Sequence, residues 1–232
     1  MLKLPGGEVR KVNTANLGAA MHRGVCAATT VSTTMELAAG AGVSVFATGG
    51  IGGVHPTAPG QPSRMDISAD LYALTRFPVA VVTSGVKSIL DIAATREVLE
   101  TLGVPVVGFG TDVFPAFYLR EPEQAGVGRV DERFDAVADL AAYVRHELAR
   151  TRRGIVVCNP IPREHELSAA DWRRWHTEAA KRAGKSVEGR DVTPALLGAL
   201  HEVSGGATLK ANVELVVNNA ALAGKLARAM VN

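Results

Sequence analysis

Lys87 stands in Ser84-Gly-Val-Lys-Ser88, just after the apolar, β-branched run that follows Pro78. A lysine at the end of a buried strand is partly desolvated, and desolvation lowers an ammonium pKa. The neutral amine that results attacks aldehydes and forms a Schiff base. The commonest alternative for a lone lysine is a solvated surface cation. Asp66 and Asp70 place two carboxylates within five residues, with Ser68 between them. An oxygen-rich site with few protein ligands and several waters suits Mn²⁺ or Mg²⁺. Asp66 could equally cap the helix that follows. His55 can serve as a metal ligand, an acid or base, or a satisfied polar residue.

Between the first apolar run and these residues lies Gly49-Gly-Ile-Gly-Gly53. Glycine costs folding entropy and is kept where the backbone takes positive φ or approaches a ligand closely. A strand emptying into such a loop is a usual place for a small-molecule site in α/β proteins. The spacing is neither G-x-G-x-x-G nor a Walker motif, which excludes a dinucleotide fingerprint and a P-loop. A tight structural turn is the plain alternative.

These residues need strands and helices to hold them. Residues 43–47, 78–83, 104–109 and 154–158 read as buried strands. Residues 15–23, 34–41, 69–75, 88–102, 134–150, 167–183 and 209–230 read as helices. Ser32 or Thr33 is a candidate cap for the second of these. Leu90, Ala93, Ala94, Val98 and Leu102 form an apolar stripe at helical spacing, and Gly103 fits a C-cap. Thr193-Pro194 fits an N-cap with proline at the first helical position. Pro56, Pro59 and Pro62 keep 56–64 from being helical, and 121–133 reads as a polar surface excursion. Trp172 and Trp175, at i,i+3, read as core or subunit contact. Alternating strands and helices predict one domain, a three-layer α/β/α fold with a mainly parallel sheet.

Ala47-Thr-Gly-Gly-Ile-Gly-Gly-Val-His55, Asp66-Ile-Ser-Ala-Asp-Leu71 and Ser84-Gly-Val-Lys-Ser-Ile-Leu-Asp91 together resemble the pseudouridine-5'-phosphate glycosidase family, which includes the indigoidine synthase A-like proteins. Phe114-Pro-Ala-Phe-Tyr118, Asn159-Pro-Ile-Pro162, Val192-Thr-Pro194 and Ser204-Gly-Gly through Asn219-Ala220 extend the resemblance from about Lys11 to the C-terminus. The resemblance implies that Lys87 forms the covalent adduct at ribose C1'. It implies that Asp66 binds Mn²⁺, and that Ser68, Ala69 and Asp70 contact substrate. Lys11 and the Thr29-Thr-Val31 backbone match positions that hold substrate, and a turn rich in free N–H groups beside a lysine suits a phosphate. Asn212 matches a pocket asparagine that bonds base or sugar, a solvated helix residue being the alternative. His55 is given a pocket role and no more.

The resemblance further implies a homotrimer that cleaves pseudouridine 5'-phosphate to uracil and ribose 5-phosphate, and reduced cysteines are consistent with a cytoplasmic setting. Two rival readings are a C-ribosylating synthase for a natural product and a ribose-phosphate-binding remnant. Pro56 stands where the family usually has arginine. The family's Glu-Ser-Thr stretch, whose glutamate is its proton donor, has no counterpart ahead of Lys11. The expectation is therefore that ribose phosphate binding and imine formation outlast turnover.

Composition narrows the rest. The 232 residues suffice for a sizeable core. A net charge of +2 gives no reason to expect nucleic acid. The arginine pairs Arg152-Arg153 and Arg173-Arg174 read as solvated faces. The two cysteines, Cys26 and Cys158, cannot make a disulfide framework and read as reduced, partly buried thiols. No run reaches the ~20 apolar residues of a membrane helix, and no signal-peptide core stands at the N-terminus.

Overall fold

The computed structural model describes residues 9–57, 65–123, 128–183 and 192–231. Most of the proline-rich stretch 56–64 therefore lies outside the described residues. Five strands form one parallel sheet: β3 (Val45–Ala47), β4 (Ala80–Thr83), β5 (Val106–Phe109), β6 (Glu132–Phe134) and β7 (Ile155–Cys158). Their order is β3-β4-β7-β5-β6, so the last strand enters between the second and third. A separate parallel pair joins β1 (Arg10–Val12) to β2 (Ala27–Thr29).

The strand sequences dictate the layers. Successive side chains in a strand point to opposite faces. Ala80, Val82, Val107, Ile155 and Val157 pack on one face with helices α5 (Val137–Thr151) and α8 (Ala207–Val231). Val81, Val106, Val156 and Cys158 pack on the other. That second face is covered by α2 (Val31–Gly40), α3 (Ala69–Arg76) and α4 (Ile92–Thr101), with α6 (Ala169–Ala183) and α7 (Val192–Val203) adding to the same core. A short helix α1 (Leu17–His22) joins β1 to β2. The fold is a parallel α/β/α arrangement, as the sequence pattern predicts.

Several elements differ from expectation. The first strand of the large sheet is Val45–Ala47 only and half-buried, because it is an edge strand. Val43 is exposed and lies outside it. Helix α2 starts at Val31 with Thr30 at the cap position, ahead of Ser32 and Thr33. Helix α4 starts only at Ile92, because Asp91 caps it by accepting the Ala94 N–H at 2.9 Å. Residues 132 and 133, expected within a polar excursion, and Phe134, expected to open the next helix, form strand β6, and α5 starts only at Val137. Helix α7 begins at Val192, one residue ahead of the proposed Thr193 cap. Gly103 follows α4 with a φ of 63°, as a C-cap glycine should. Cys158 is fully buried and Cys26 exposed. Trp172 lies in the core against Tyr118. Among the described residues no helix is long and apolar enough to cross a membrane.

Candidate active site

The loops leaving the carboxyl ends of β3 and β4 are zipped together. Thr48 N–H donates to the Val82 carbonyl, Ser84 N–H to Gly49, Ile51 N–H to Gly85 and Lys87 N–H to Ile51, all within 3.2 Å. The glycine loop and the lysine segment thus form one ledge at the carboxyl edge of the sheet. Such edges are where open α/β sheets bind ligands. The glycines are demanded by contact. A β-carbon at Gly52 would collide with the Ser68 hydroxyl and come within 2.8 Å of Asp70 Oδ2. Gly85 has a φ of 84° and lies against the Pro115 carbonyl, where no side chain fits.

A cavity of about 720 Å³ opens over this ledge. It is lined by Lys11, Val31, His55, Asp66, Ser68, Ala69, Asp70, Lys87 and Asn212, so the structure brings every sequence-predicted site residue to one place. Lys11 comes from β1, Thr29 ends β2, and Val31 opens α2. The α2 N-terminus therefore faces the same space as two lysines. Helix N-termini and lysines both favour anions.

Lys87 is half-buried. Burial is the largest influence on it and lowers its pKa from the ordinary lysine value. The Asp70 carboxylate opposes that shift and the Lys11 ammonium reinforces it. A neutral amine is therefore more accessible at Lys87 than at a solvated lysine.

Asp70, expected at the substrate, also holds structural partners. Its Oδ1 accepts the Ser32 N–H at 2.8 Å and its Oδ2 accepts the Gly52 N–H at 2.8 Å. The residue is 4% exposed. A buried carboxylate tolerates such a place only when it is bonded. Asp70 clamps the α2 N-terminus to the glycine loop while setting charge near Lys87. Ser68 caps α3 by accepting the Asp70 N–H at 3.2 Å, so Asp66 is not the cap.

Asp66 is exposed, and its carbonyl accepts the His55 N–H at 2.9 Å. Ser68 N–H donates to Gly53, and Val54 bridges Ile67, so residues 53–55 and 66–68 run antiparallel. His55 and Asp66 consequently share the pocket rim. Among the described residues no group of three His, Cys, Asp or Glu side chains converges as a metal centre. A single exposed carboxylate fits only a cation that keeps most of its waters, which is the habit of Mg²⁺-like ions.

Phe117, Pro194, Leu197 and Val216 give the cavity an apolar side that residue-type reasoning assigns no role. Phe117 is notable for a φ of 64°, the left-handed region that a bulky residue seldom enters. Three bonds hold it there. Its N–H donates to the Ser84 carbonyl at 2.9 Å, Ser88 Oγ donates to Ala116 at 2.5 Å, and the Tyr118 N–H donates to Ser88 Oγ at 3.3 Å. Its only sequence signal is its place in the Phe114–Tyr118 motif.

An open parallel sheet, a glycine ledge at its carboxyl edge and a desolvated lysine facing a helix N-terminus define an α/β protein with a site for a small anionic ligand. The chain belongs to the indigoidine synthase A like protein family, whose model matches residues 1–229. It is 45% identical over 227 residues to the pseudouridine-5'-phosphate glycosidase of Symbiobacterium thermophilum, covering 96% of this chain and 72% of that one. The enzyme of the same name from Geobacillus kaustophilus is 46% identical over 223 residues, with 95% and 72% covered. Among solved structures, an indigoidine synthase A-like protein from Thermotoga maritima superposes with a TM-score of 0.83 at 38% identity, over 95% of this chain and 70% of that one. The prealnumycin C-glycosynthase AlnA, in complex with ribulose 5-phosphate, gives 0.85 at 33% identity, over 97% and 73%.

Proposed function

We propose that this chain reversibly cleaves the C-glycosidic bond of pseudouridine 5'-phosphate, giving uracil and ribose 5-phosphate, in pseudouridine breakdown. The observation that carries the reading is Lys87, a desolvated amine in the same cavity as the α2 N-terminus and Lys11. Relatives about 45% identical bear the glycosidase name. The pairing suits the chemistry. A carbon–carbon glycosidic bond offers no nitrogen leaving group to protonate. The Lys87 amine can add to C1' as the C1'–O4' bond of the ribose opens, its proton passing to O4'. The nitrogen lone pair then forms the C1' iminium as the carbon–carbon bond breaks, and the bond's electron pair stays with the uracil carbon. Water hydrolyses the iminium to ribose 5-phosphate and free lysine. The phosphate end would rest on the Thr29–Val31 backbone and Lys11, with Ser68 and Ala69 at the sugar. Asn212, half-buried on α8, would bond base or sugar.

The uracil carbon must then gain a proton, a task for which general acid catalysis is typically worth 10²–10⁴-fold. No glutamate lines the cavity among the described residues. Imine formation depends less on that acid, so it is the sharper probe of the site. Mn²⁺, or Mg²⁺ in its place, would be held by Asp66 beside His55, where its charge would anchor substrate oxygens. The working unit would be a homotrimer.

Incubation with ribose 5-phosphate, borohydride reduction and peptide mass spectrometry test the reading. The adduct is expected on Lys87 and lost in Lys87→Arg, which keeps the charge without an amine nucleophile. An adduct on a different lysine, or none, overturns it. The fold neighbour AlnA keeps C-ribosylation as the second reading. Uracil release from pseudouridine 5'-phosphate favours the glycosidase, and coupling only to a non-uracil acceptor favours the synthase.

A further inference from the structure

Outside the pocket, one buried polar cluster stands at the point where three strands end. Asn219 of α8 is fully buried. Its Nδ2 donates to the Thr48 carbonyl at 2.8 Å and to Ser84 Oγ at 3.1 Å, and its Oδ1 accepts from Asn159 Nδ2 at 3.0 Å. Ser84 Oγ in turn donates to the Asn159 carbonyl at 3.0 Å. Thr48 follows β3, Ser84 follows β4 and Asn159 follows β7. Both amide protons and the amide oxygen are used, the full directional capacity of the group. A leucine here would leave the Thr48 carbonyl and the Asn159 amide without this partner, so the amide ties α8 to the strand ends.

Two connections lead from the cluster into the cavity. Along the sheet edge, Ser84 bonds Gly49 and Phe117 through its backbone, and Lys87 lies three residues on. Along α8, Asn219 shares a face with Leu215 and Asn212, four and seven residues back. A β-carbon at Gly49 would lie 3.1 Å from both a Leu215 methyl and Asn212 Oδ1. The height of α8 over the strand ends therefore sets where Asn212 stands.

We propose that Asn219 is a positioning residue that registers α8 on the ends of β3, β4 and β7, and so places Lys87 and Asn212 together for imine formation. The proposal rests on the reading of Lys87 given above. Asn219 does not line the cavity and acts through the Thr48 carbonyl and the Ser84 hydroxyl. A misplacement of ~1 Å costs up to roughly 10²-fold in rate.

The experiment is borohydride trapping at saturating ribose 5-phosphate, beside calorimetric binding of the same sugar phosphate. Both are run below the melting onset of every variant. Asn219→Leu is expected to slow trapping at Lys87 by roughly 10–100-fold. The dissociation constant should stay within about threefold, a fraction of a tenfold step in affinity, because the α2 N-terminus is untouched. The pH midpoint of trapping should also hold, since no charge changes. Ser84→Ala, which removes one hydroxyl of the same cluster, is expected to shift the rate in the same direction by less. It carries the test where Asn219→Leu does not fold. A folded variant that traps at the wild-type rate, or loses binding and rate in equal measure, overturns the positioning role. A wild type that yields no Lys87 adduct overturns instead the lysine reading beneath it.

Discussion

Three influences act on the Lys87 amine in opposite directions. Burial and the Lys11 charge favour the neutral form, while Asp70 favours the ammonium. The folded-state pKa is net lowered below the free-lysine value. In the window between that lowered pKa and 10.5 the unfolded chain binds a proton that the folded chain does not. Stability attributable to Lys87 therefore rises with pH across this window and is lost as pH falls through the folded pKa. Imine trapping should accordingly show a midpoint below the ordinary lysine range. Lys11→Met removes a charge that disfavours the ammonium, so its midpoint should move to higher pH. A profile unmoved in Lys11→Met would mean that burial and Asp70 set the amine without Lys11. Asp66 makes the second residue-scale prediction. Asp66→Asn should weaken Mn²⁺ binding in calorimetric titration and leave the melting temperature near that of wild type, because the residue is exposed. Equal affinity in both proteins would return Asp66 to the role of a substrate contact or loop residue. Residue types and motif order pointed to nine residues that all line the cavity, but not to its apolar side of Phe117, Pro194, Leu197 and Val216. They did not show that Asp70 bonds Ser32 and Gly52, because those partners lie 38 and 18 residues away along the chain.

At the scale of elements, legibility follows hydrophobic contrast. β4 and β7 are buried throughout and read as apolar runs. β6 was missed because Glu132 and Arg133 are exposed and only Phe134 is buried. A charged edge strand guards against edge-to-edge pairing, and its pattern then resembles a loop. The start of α4 was placed four residues early because Ser88 to Leu90 are compatible with helix in type. Asp91, not the apolar stripe, decides where the helix begins. Asp91→Ala should cost about 1 kcal/mol, the usual value of a side-chain cap, and lower the melting temperature by roughly 2–4 °C. The turn around Gly85 gives the severer test. Alanine there takes on a φ of 84° and collides with the Pro115 carbonyl, which belongs to the strained Phe117 turn. Left-handed backbone costs a non-glycine residue roughly 1–2 kcal/mol, and overpacking adds about 1–3 kcal/mol. Gly85→Ala should therefore melt far below Asp91→Ala in a thermal scan. Equal melting points would show that the 115–117 turn yields.

At the scale of the whole molecule, α8 shows a contradiction that a lone chain does not resolve. One face carries Ala211, Leu215, Leu222 and Leu226 into the core. The opposite face carries Leu209, Val213 and Val217, which are 50%, 53% and 59% exposed, beside Val216 at 39%. Four large apolar side chains within nine residues make a stripe one helix side wide. Val43 and the half-buried edge strand β3 are also open, and α8 packs on that strand. Contiguous apolar patches on soluble proteins mark association surfaces. Copies of this chain are the occupant expected here, in closed threefold symmetry, where one patch of each protomer meets another patch of the next. Val216 lines the cavity as well as the stripe, so assembly would wall the pocket mouth. Light scattering at micromolar concentration is expected to return three times the chain mass. Val213→Glu with Val217→Glu should return the chain mass, since a carboxylate is costly to bury without a partner. Both positions are solvent-exposed on α8, so the fold should survive, and circular dichroism checks that it does. Ribose 5-phosphate should then bind more weakly to the monomer, through loss of the mouth rather than of the ledge. A wild-type monomer, or a double variant that keeps the trimer mass, would rule this surface out as the contact.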